Sequence, residues 1–337
     1  MSTLLISDLH LTANPREEYR WRLFDWLAEI LPQNDVKDLF ILGDLTEAKD
    51  YHSAKLVNRI VNTLLMLYRN GGLHYIHILR GNHDGVDPRC AYFEFLGQYP
   101  SIRYIATPYT FPLGNQEILA LPHTNDPVRD WEDIDMHNVD LILMHATVRG
   151  AVAENGQVVE GIPPSMLATA KRAKIYSGDI HVPQKVGRIE YVGAPYPVRF
   201  GDSFTPRAVL FEKGRARDLL PPAIRRGVIV VDATQASFAS LSSYSKGDQV
   251  KVRIRLSPSE YLDWQKIKKN AVAACAEHGV ELCALELERV PARRLLRRPG
   301  TAQVQRRTPQ DIFNAFCASN KIDELSISVG GEILRGL

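Results

Sequence analysis

The 337-residue chain has no run of about 18 apolar residues, the length a membrane-spanning helix needs. Its opening, Met1-Ser2-Thr3-Leu4-Leu5-Ile6-Ser7-Asp8, has no charged start followed by a long apolar stretch and a small-residue cleavage site. A secretory signal is therefore not expected, and the opening reads as a strand that begins at once. Cysteine is scarce: Cys90, Cys275, Cys283 and Cys317 lie far apart and form no CxxC pair. A reduced, cytoplasmic protein is the plain expectation. There is no internal repeat of about 20 to 50 residues and no low-complexity block. Net charge is nearly absent too, at +2, so the overall balance says little about partners.

What is present is the composition of a globular chain, 45% apolar and 24% charged. The length suggests two domains. Thr3–Ser7, Asp38–Leu42 and Tyr75–Leu79 are short apolar runs of strand type. Between them, Glu17–Leu31 and Ser53–Tyr68 carry apolar residues at the three- and four-residue spacing of amphipathic helices. Later runs at Ile118–Leu121, Leu141–Met144, Lys174–Tyr176, Ile189–Val192 and Ala208–Phe211 also read as strands. The expectation is an α/β fold of two packed sheets with helices outside.

Pro221-Pro222 marks a boundary. Beyond it, Gln249–Leu256 alternates strictly, with Lys251, Arg253 and Arg255 on one face. That face reads as a solvated surface, with DNA contact as the alternative. Ser257-Pro258-Ser259-Glu260 reads as a helix start, Gly279 as its stop near His278, and Val280–Leu287 as a following strand. Seven arginines and no acid lie between Arg289 and Arg307, a stretch that could meet phosphates or simply be solvated. A last helix opens at Thr308-Pro309, with Ile312, Phe313 and Phe316 as an apolar stripe.

The chemistry is carried by five small clusters. Asp8-x-His10, Gly43-Asp44, Gly81-Asn82-His83-Asp84, His145 and Gly178-Asp179-Ile180-His181 each end or closely follow an apolar run. Strand ends along one sheet edge are where open α/β folds collect ligands. Carboxylate, imidazole and amide oxygen together suit divalent manganese, iron or zinc. Two cations about 3.5–4 Å apart could clamp a phosphate and activate a water. Two ions so close need a bridging carboxylate, and Asp44 is the natural bridge because its glycine neighbour allows close backbone approach. Asn82 offers a neutral oxygen, and His83 could donate a hydrogen bond or proton to developing charge. Glu47 could orient a ligand or be an ordinary helix-start acid. The remaining histidines, His52, His74, His77, His123, His137 and His278, read as structural or exposed.

The order D-x-H, G-D, G-N-H-D, H, then G-x-x-H resembles the calcineurin-like metallophosphoesterase superfamily. Within it the chain is similar to SbcD-type nucleases, including the smaller phage recombination nucleases. Tyr191-Val192-Gly193-Ala194-Pro195-Tyr196-Pro197 and Phe200-Gly201-Asp202 resemble the segment after that family's last ligand strand. The resemblance implies a two-sheet metallophosphoesterase sandwich over 1–222, flanked by helices. It also implies a small α+β capping domain over 223–300 and a tail over 301–337. It implies one cation on Asp8, His10, Asp44 and His181, another on Asp44, Asn82, His145 and residue 179, and His83 as the catalytic histidine. The family pattern G-H-x-H is here Gly178-Asp179-Ile180-His181. Aspartate in place of histidine hardens the second site and favours manganese or magnesium. The implied function is a DNA exo- or endonuclease, usually a homodimer, working with an SbcC-like ATPase. The alternatives are a phosphatase or phosphodiesterase on small nucleotides or proteins, and a DNA-end scaffold that has lost its second site.

Overall fold

The computed structural model describes residues 2–87, 90–212, 214–232 and 238–289, with single positions among 313–327. The chain begins β1 (Ser2–Ile6), α1 (Arg22–Gln33), β2 (Val36–Ile41), α2 (Ala54–Gly71) and β3 (Tyr75–Leu79). It continues β4 (Ile102–Ile105), β5 (Tyr109–Leu113), β6 (Gln116–Leu121), α3 (Pro127–Trp131), β7 (Leu141–His145) and β8 (Lys174–Gly178). Then come β9 (Gln184–Val186), β10 (Ile189–Tyr191), β11 (Ala208–Glu212) and β12 (Arg215–Leu219). Last are β13 (Arg226–Asp232), β14 (Gln249–Leu256), α4 (Trp264–Glu277) and β15 (Glu281–Arg289).

Among the described residues the strands form two six-stranded sheets and one of three strands. The first sheet runs β12-β11-β1-β2-β3-β4 and the second β5-β6-β7-β8-β10-β9. Strands β1 to β4 are mutually parallel, as are β6, β7, β8 and β10, so their C-terminal ends gather along one edge of each sheet. Parallel strands covered on both faces need near-continuous apolar sequence, which is why β1 and β2 read as runs. In β1, Leu4 and Ile6 pack towards α1 and α2, while Leu5 packs towards the other sheet. Phe40 on β2 and Leu42 just past its end repeat this and meet Phe111, Ile118 and Leu143 between the sheets. Trp131, Met136 and Leu167 cover the outer face of the second sheet. The expected two-sheet α/β sandwich with flanking helices is the observed fold.

Local signals explain several element ends. Ser53 caps α2, its Oγ accepting from Leu56 N at 3.2 Å, and Gly72 ends it with φ of 66°. The Ser257–Glu260 capping box is present, Glu260 Oε2 accepting from Ser257 N at 2.7 Å. Two helix expectations need correction. The start at Ser257 opens a 3₁₀ turn at Pro258–Asp263, and α4 follows only from Trp264. The helix expected over Glu17–Leu31 is a 3₁₀ turn at Pro15–Trp21 followed by α1. The tighter winding turns Arg20 inward, where it donates to the His10 carbonyl and pairs with Glu17 at 2.9 Å.

The strand–helix–strand unit expected at 249–287 gains β13, giving a parallel β13-β14-β15 sheet with its own apolar cluster around Ile254 and Cys275. Met1–Val290 nonetheless forms one compact unit. Arg226 on β13 donates to Tyr19 Oη at 3.0 Å, Gln249 Nε2 to the Arg16 carbonyl at 2.6 Å, and Arg16 to the Cys283 carbonyl at 2.8 Å. The basic face of β14 is matched by acids on β15, with Arg253–Glu286 at 3.0 Å and Arg255–Glu288 at 3.3 Å. Most of the arginine run, together with Thr308, Ile312 and Phe316, lies outside the described residues; Phe313 is helical.

Candidate metal centre

The chain leaves β1, β2, β3, β7 and β8 at the shared edge and turns sharply, and the expected clusters sit in those turns. Asp8, His10, Asp44 and Asp179 all have positive φ, between 45° and 84°. Such left-handed backbone costs a non-glycine residue about 1–3 kcal/mol and persists only where the surroundings over-determine it. Here His10 N donates to the Asp44 carbonyl at 2.9 Å and Asp8 N to the Gly43 carbonyl at 3.2 Å, locking the first two turns together. Asp84, fully buried, accepts from the amides of Gly81 at 2.6 Å, Asp44 at 3.1 Å and Leu45 at 3.0 Å, which ties the third turn to the second. A Cβ on Gly43 would lie 2.2 Å from the His145 ring, and one on Gly81 would lie 2.2 Å from Asp44 Oδ1. The two glycines therefore make room for the site.

All seven expected donors converge. His10 Nε2 lies 3.0 Å from His181 Nε2 and 3.4 Å from Asp44 Oδ2. Asp8, fully buried, is close enough to His10 and His181 for the three to share one ion. On the other side of Asp44, His145 Nε2 lies 3.4 Å from Asp44 Oδ1, 3.0 Å from Asn82 Oδ1 and 3.7 Å from Asp179 Oδ1. The Asn82 oxygen is itself 3.0 Å from both Asp44 oxygens. His145 Nδ1 is committed as a donor to the Leu42 carbonyl at 2.6 Å, so its Nε2 lone pair points into this group. One proton on Nε2 could face only one of those oxygens. A cation among them satisfies all at once. Asp44 stands in both groups, as a bridging carboxylate must. Asp179, the departure from the family pattern, reaches the second group with one oxygen while Thr147 Oγ1 donates to the other.

Electrostatics point the same way. Burial first, then Asp44 and Asp179 nearby, push the Asp8 carboxyl up to about 7. Burial and the neighbouring Asp84 raise Asp44 well above its usual range. Burial also lowers His10 to about 4 and His181 to about 3, so both rings are neutral near pH 7 with a lone pair to offer. Crowded carboxylates beside neutral imidazoles leave a deficit of positive charge that divalent cations fit.

Residues around the donors show how they are held. Glu47 Oε2 is 3.2 Å from His10 Nδ1, and Glu154 Oε1 is 3.0 Å from His181 Nδ1, each to one side of the ring N–H axis. A carboxylate there favours the proton on Nδ1 and frees Nε2 for metal. His83 donates its backbone N–H to Asp44 Oδ1 at 2.8 Å, and its ring stands edge-on to His10, 4.9 Å between centroids. Its ring nitrogen can also come within ligand reach of His10 and Asp44. The sequence offered no sign of Glu154, Thr147, Arg20 or the Asp84 clamp, because none repeats with a strand or helix period. His123 reads from sequence as structural or exposed; it lies at the edge of the site, its ring 6.2 Å from that of His145. His77 is structural as expected, buried between the sheets and 2.9 Å from Asp38.

A two-sheet sandwich carrying this donor set at its strand ends is the architecture of a metal-dependent phosphoester hydrolase. The chain belongs to the calcineurin-like phosphoesterase family, whose model matches residues 1–183. A search of curated proteins finds no match. Among solved structures, an archaeal phosphodiesterase is similar at 13% identity and a TM-score of 0.37, over 65% of this chain and 99% of that one. A dimetal phosphatase from Danio rerio is similar at 13% identity and 0.39, over 65% and 98%. The Pseudomonas putida nuclease MPE is similar at 15% identity and 0.32, over 64% and 87%. Likeness at this level has no bearing on substrate. No helix among the described residues is long and apolar enough to cross a membrane.

Proposed function

We propose that the protein is a nuclease of the SbcD type, hydrolysing DNA phosphodiesters with two manganese ions. One observation carries the reading. A cleft of about 490 Å³ runs from Glu47, beside the first donor group, to the third sheet. Five cationic and three anionic side chains line it, and Phe200 lies among them. Lys251 is 4.8 Å from the Phe200 ring and Arg226 4.1 Å. A net-positive cleft with an aromatic wall, opening beside the cation site, suits a polyanion with bases to stack.

Asp8, His10, Asp44 and His181 would hold one ion, and Asp44, Asn82, His145 and Asp179 the other. When bound, such a pair polarises the phosphoryl group and lowers the pKa of a water. His83 stands beside His10, where its imidazole can donate to the developing charge. Its ring is aimed by the Glu47 carbonyl, 2.8 Å from Nδ1. Asp84 and Arg20 hold the turns that present these groups. The extended reading includes an SbcC-like ATPase and a homodimer.

The volume of the cleft also fits a single small nucleotide, which keeps phosphodiesterase action on small substrates as a second reading. Manganese-dependent digestion of end-labelled duplex DNA, run beside a chromogenic phosphodiester and with and without an SbcC-like ATPase, separates the two. Turnover of the small diester without any cut DNA would refute the nuclease reading and leave the hydrolase intact.

A further inference from the structure

We propose that His123 is a further catalytic residue, donating a hydrogen bond from its imidazole to a phosphoryl oxygen beside the second donor group. The proposal deepens the phosphoester-hydrolase reading and rests on it. His123 follows β6, the neighbour of β7, so it emerges at the same sheet edge as His145. Its ring stands edge-on to His145, 6.2 Å between centroids and 83° between planes. The placement is fixed from both sides. His123 N donates to the Arg80 carbonyl at 2.8 Å, and the Arg80 guanidinium donates to the His123 carbonyl. Arg80 immediately precedes Gly81-Asn82-His83-Asp84, so this pair joins the end of β6 to the turn that carries Asn82.

The ring is half-buried and remains reachable from solvent. His123 is absent from the tight donor groups, whose ligand atoms lie within 4.8 Å of one another. Its ring lies next to that of His145 without joining those groups. The charged groups that face it are His145, Asp179 and Arg80, and the Asn125 side chain takes a hydrogen bond from the ring. A phosphoryl oxygen bound among Asn82, His145 and Asp179 would compete with the Asn125 side chain for the His123 ring N–H. The hydrogen bond strengthens as that oxygen gains charge, which is the condition for lowering the barrier.

The test uses the full chain loaded with manganese, with His123→Ala and His123→Gln beside the unaltered protein. Three quantities are read: cation stoichiometry, kcat/KM on bis(p-nitrophenyl) phosphate, and inhibition by inorganic phosphate. In His123→Ala both cations should remain. In that variant kcat/KM should fall about 10–100-fold, the span of one hydrogen bond to a charged group. The inhibition constant for phosphate should rise about tenfold in step. Glutamine keeps an N–H donor and should recover part of both losses. Loss of a cation in His123→Ala would overturn the proposal, as would turnover within about twofold of the unaltered protein. Equal loss in the alanine and glutamine variants would assign the ring to packing and overturn it too. Should the unaltered protein not cleave the diester, the phosphodiesterase reading fails on its own. Calorimetric titration of the manganese-loaded proteins with inorganic phosphate then still decides for or against His123, by whether Kd rises about tenfold in His123→Ala.

Discussion

Replacing Asp84 by asparagine changes no volume and removes one charge, which makes it a sharp probe of how the site is built. The carboxylate takes three backbone amides, from Gly81 and Asp44 on Oδ2 and from Leu45 on Oδ1. An asparagine can keep its oxygen on Gly81 and Asp44, but its amide group then faces the Leu45 N–H, donor against donor. Hydrogen bonds to charged groups contribute about 1.5–3 kcal/mol and neutral ones about 0.5–1.5, while a stranded buried donor costs about 1–3. Two weakened bonds and one lost bond come to about 4–5 kcal/mol on these figures. Part is returned, because Asp84 is the largest source of repulsion on the buried Asp44 carboxylate. A net loss of about 2–4 kcal/mol is expected, a fall of about 5–10 °C in melting temperature for a domain of this size. Because the turn bearing Asp44 is what Asp84 holds, cation affinity should fall about 10–100-fold. Thermal unfolding of the metal-free protein and calorimetric manganese titration read the two effects. If the variant melts within a degree of the unaltered protein and binds manganese equally well, the clamp does not set the site.

Four further outcomes follow from the same geometry. His83→Ala should keep both cations and lose about 10²–10⁴ in turnover; loss of a cation would make His83 a ligand. Asp179→Ala should empty the second site and leave the first largely filled, while Asp179→His should shift preference from manganese towards zinc or cobalt. Unchanged metal content in Asp179→Ala would remove Asp179 from the ligand set. Glu154→Ala should weaken one cation about 10–100-fold by freeing the His181 tautomer, with Glu154→Gln recovering much of it; equal affinities in all three proteins would contradict this.

The last outcome concerns pH. Asp8 is raised to about 7, so its contribution to metal-free stability is present at low pH and lost as pH rises through about 7. His10 at about 4 and His181 at about 3 run the other way, their contributions being present above about 6.5 and lost as pH falls through those values. Manganese binding at pH 6 should therefore release a proton from Asp8 that binding at pH 8 does not. Calorimetry in buffers of different ionisation enthalpy measures this, and equal proton release at the two pH values would refute it.

The sequence by itself determined the strand runs, the five clusters at their ends and the family to which they belong. These signals are local: an apolar run predicts a buried parallel strand, and a glycine beside an aspartate predicts a tight turn at its end. It also held the Ser257–Glu260 cap and the stop at Gly279, which depend on a few neighbouring residues. The tertiary structure decided everything that crosses between elements. Asp84 reaches back 40 residues to the Asp44 amide, Glu154 meets His181 from a loop, and Arg20 leaves its helical pattern to hold the His10 carbonyl. His123 looked like a lone histidine until the parallel pairing of β6 with β7 brought it beside His145. The basic row on β14 reads as a solvated face, with DNA contact as the alternative; β15 pairs Arg253 with Glu286 and Arg255 with Glu288, and the fold sets Lys251 and Arg253 on the wall of the cleft. Side-chain period reports which face of an element is buried; which partner that face meets is set by strand order and register, and these are fixed only when the whole sheet closes.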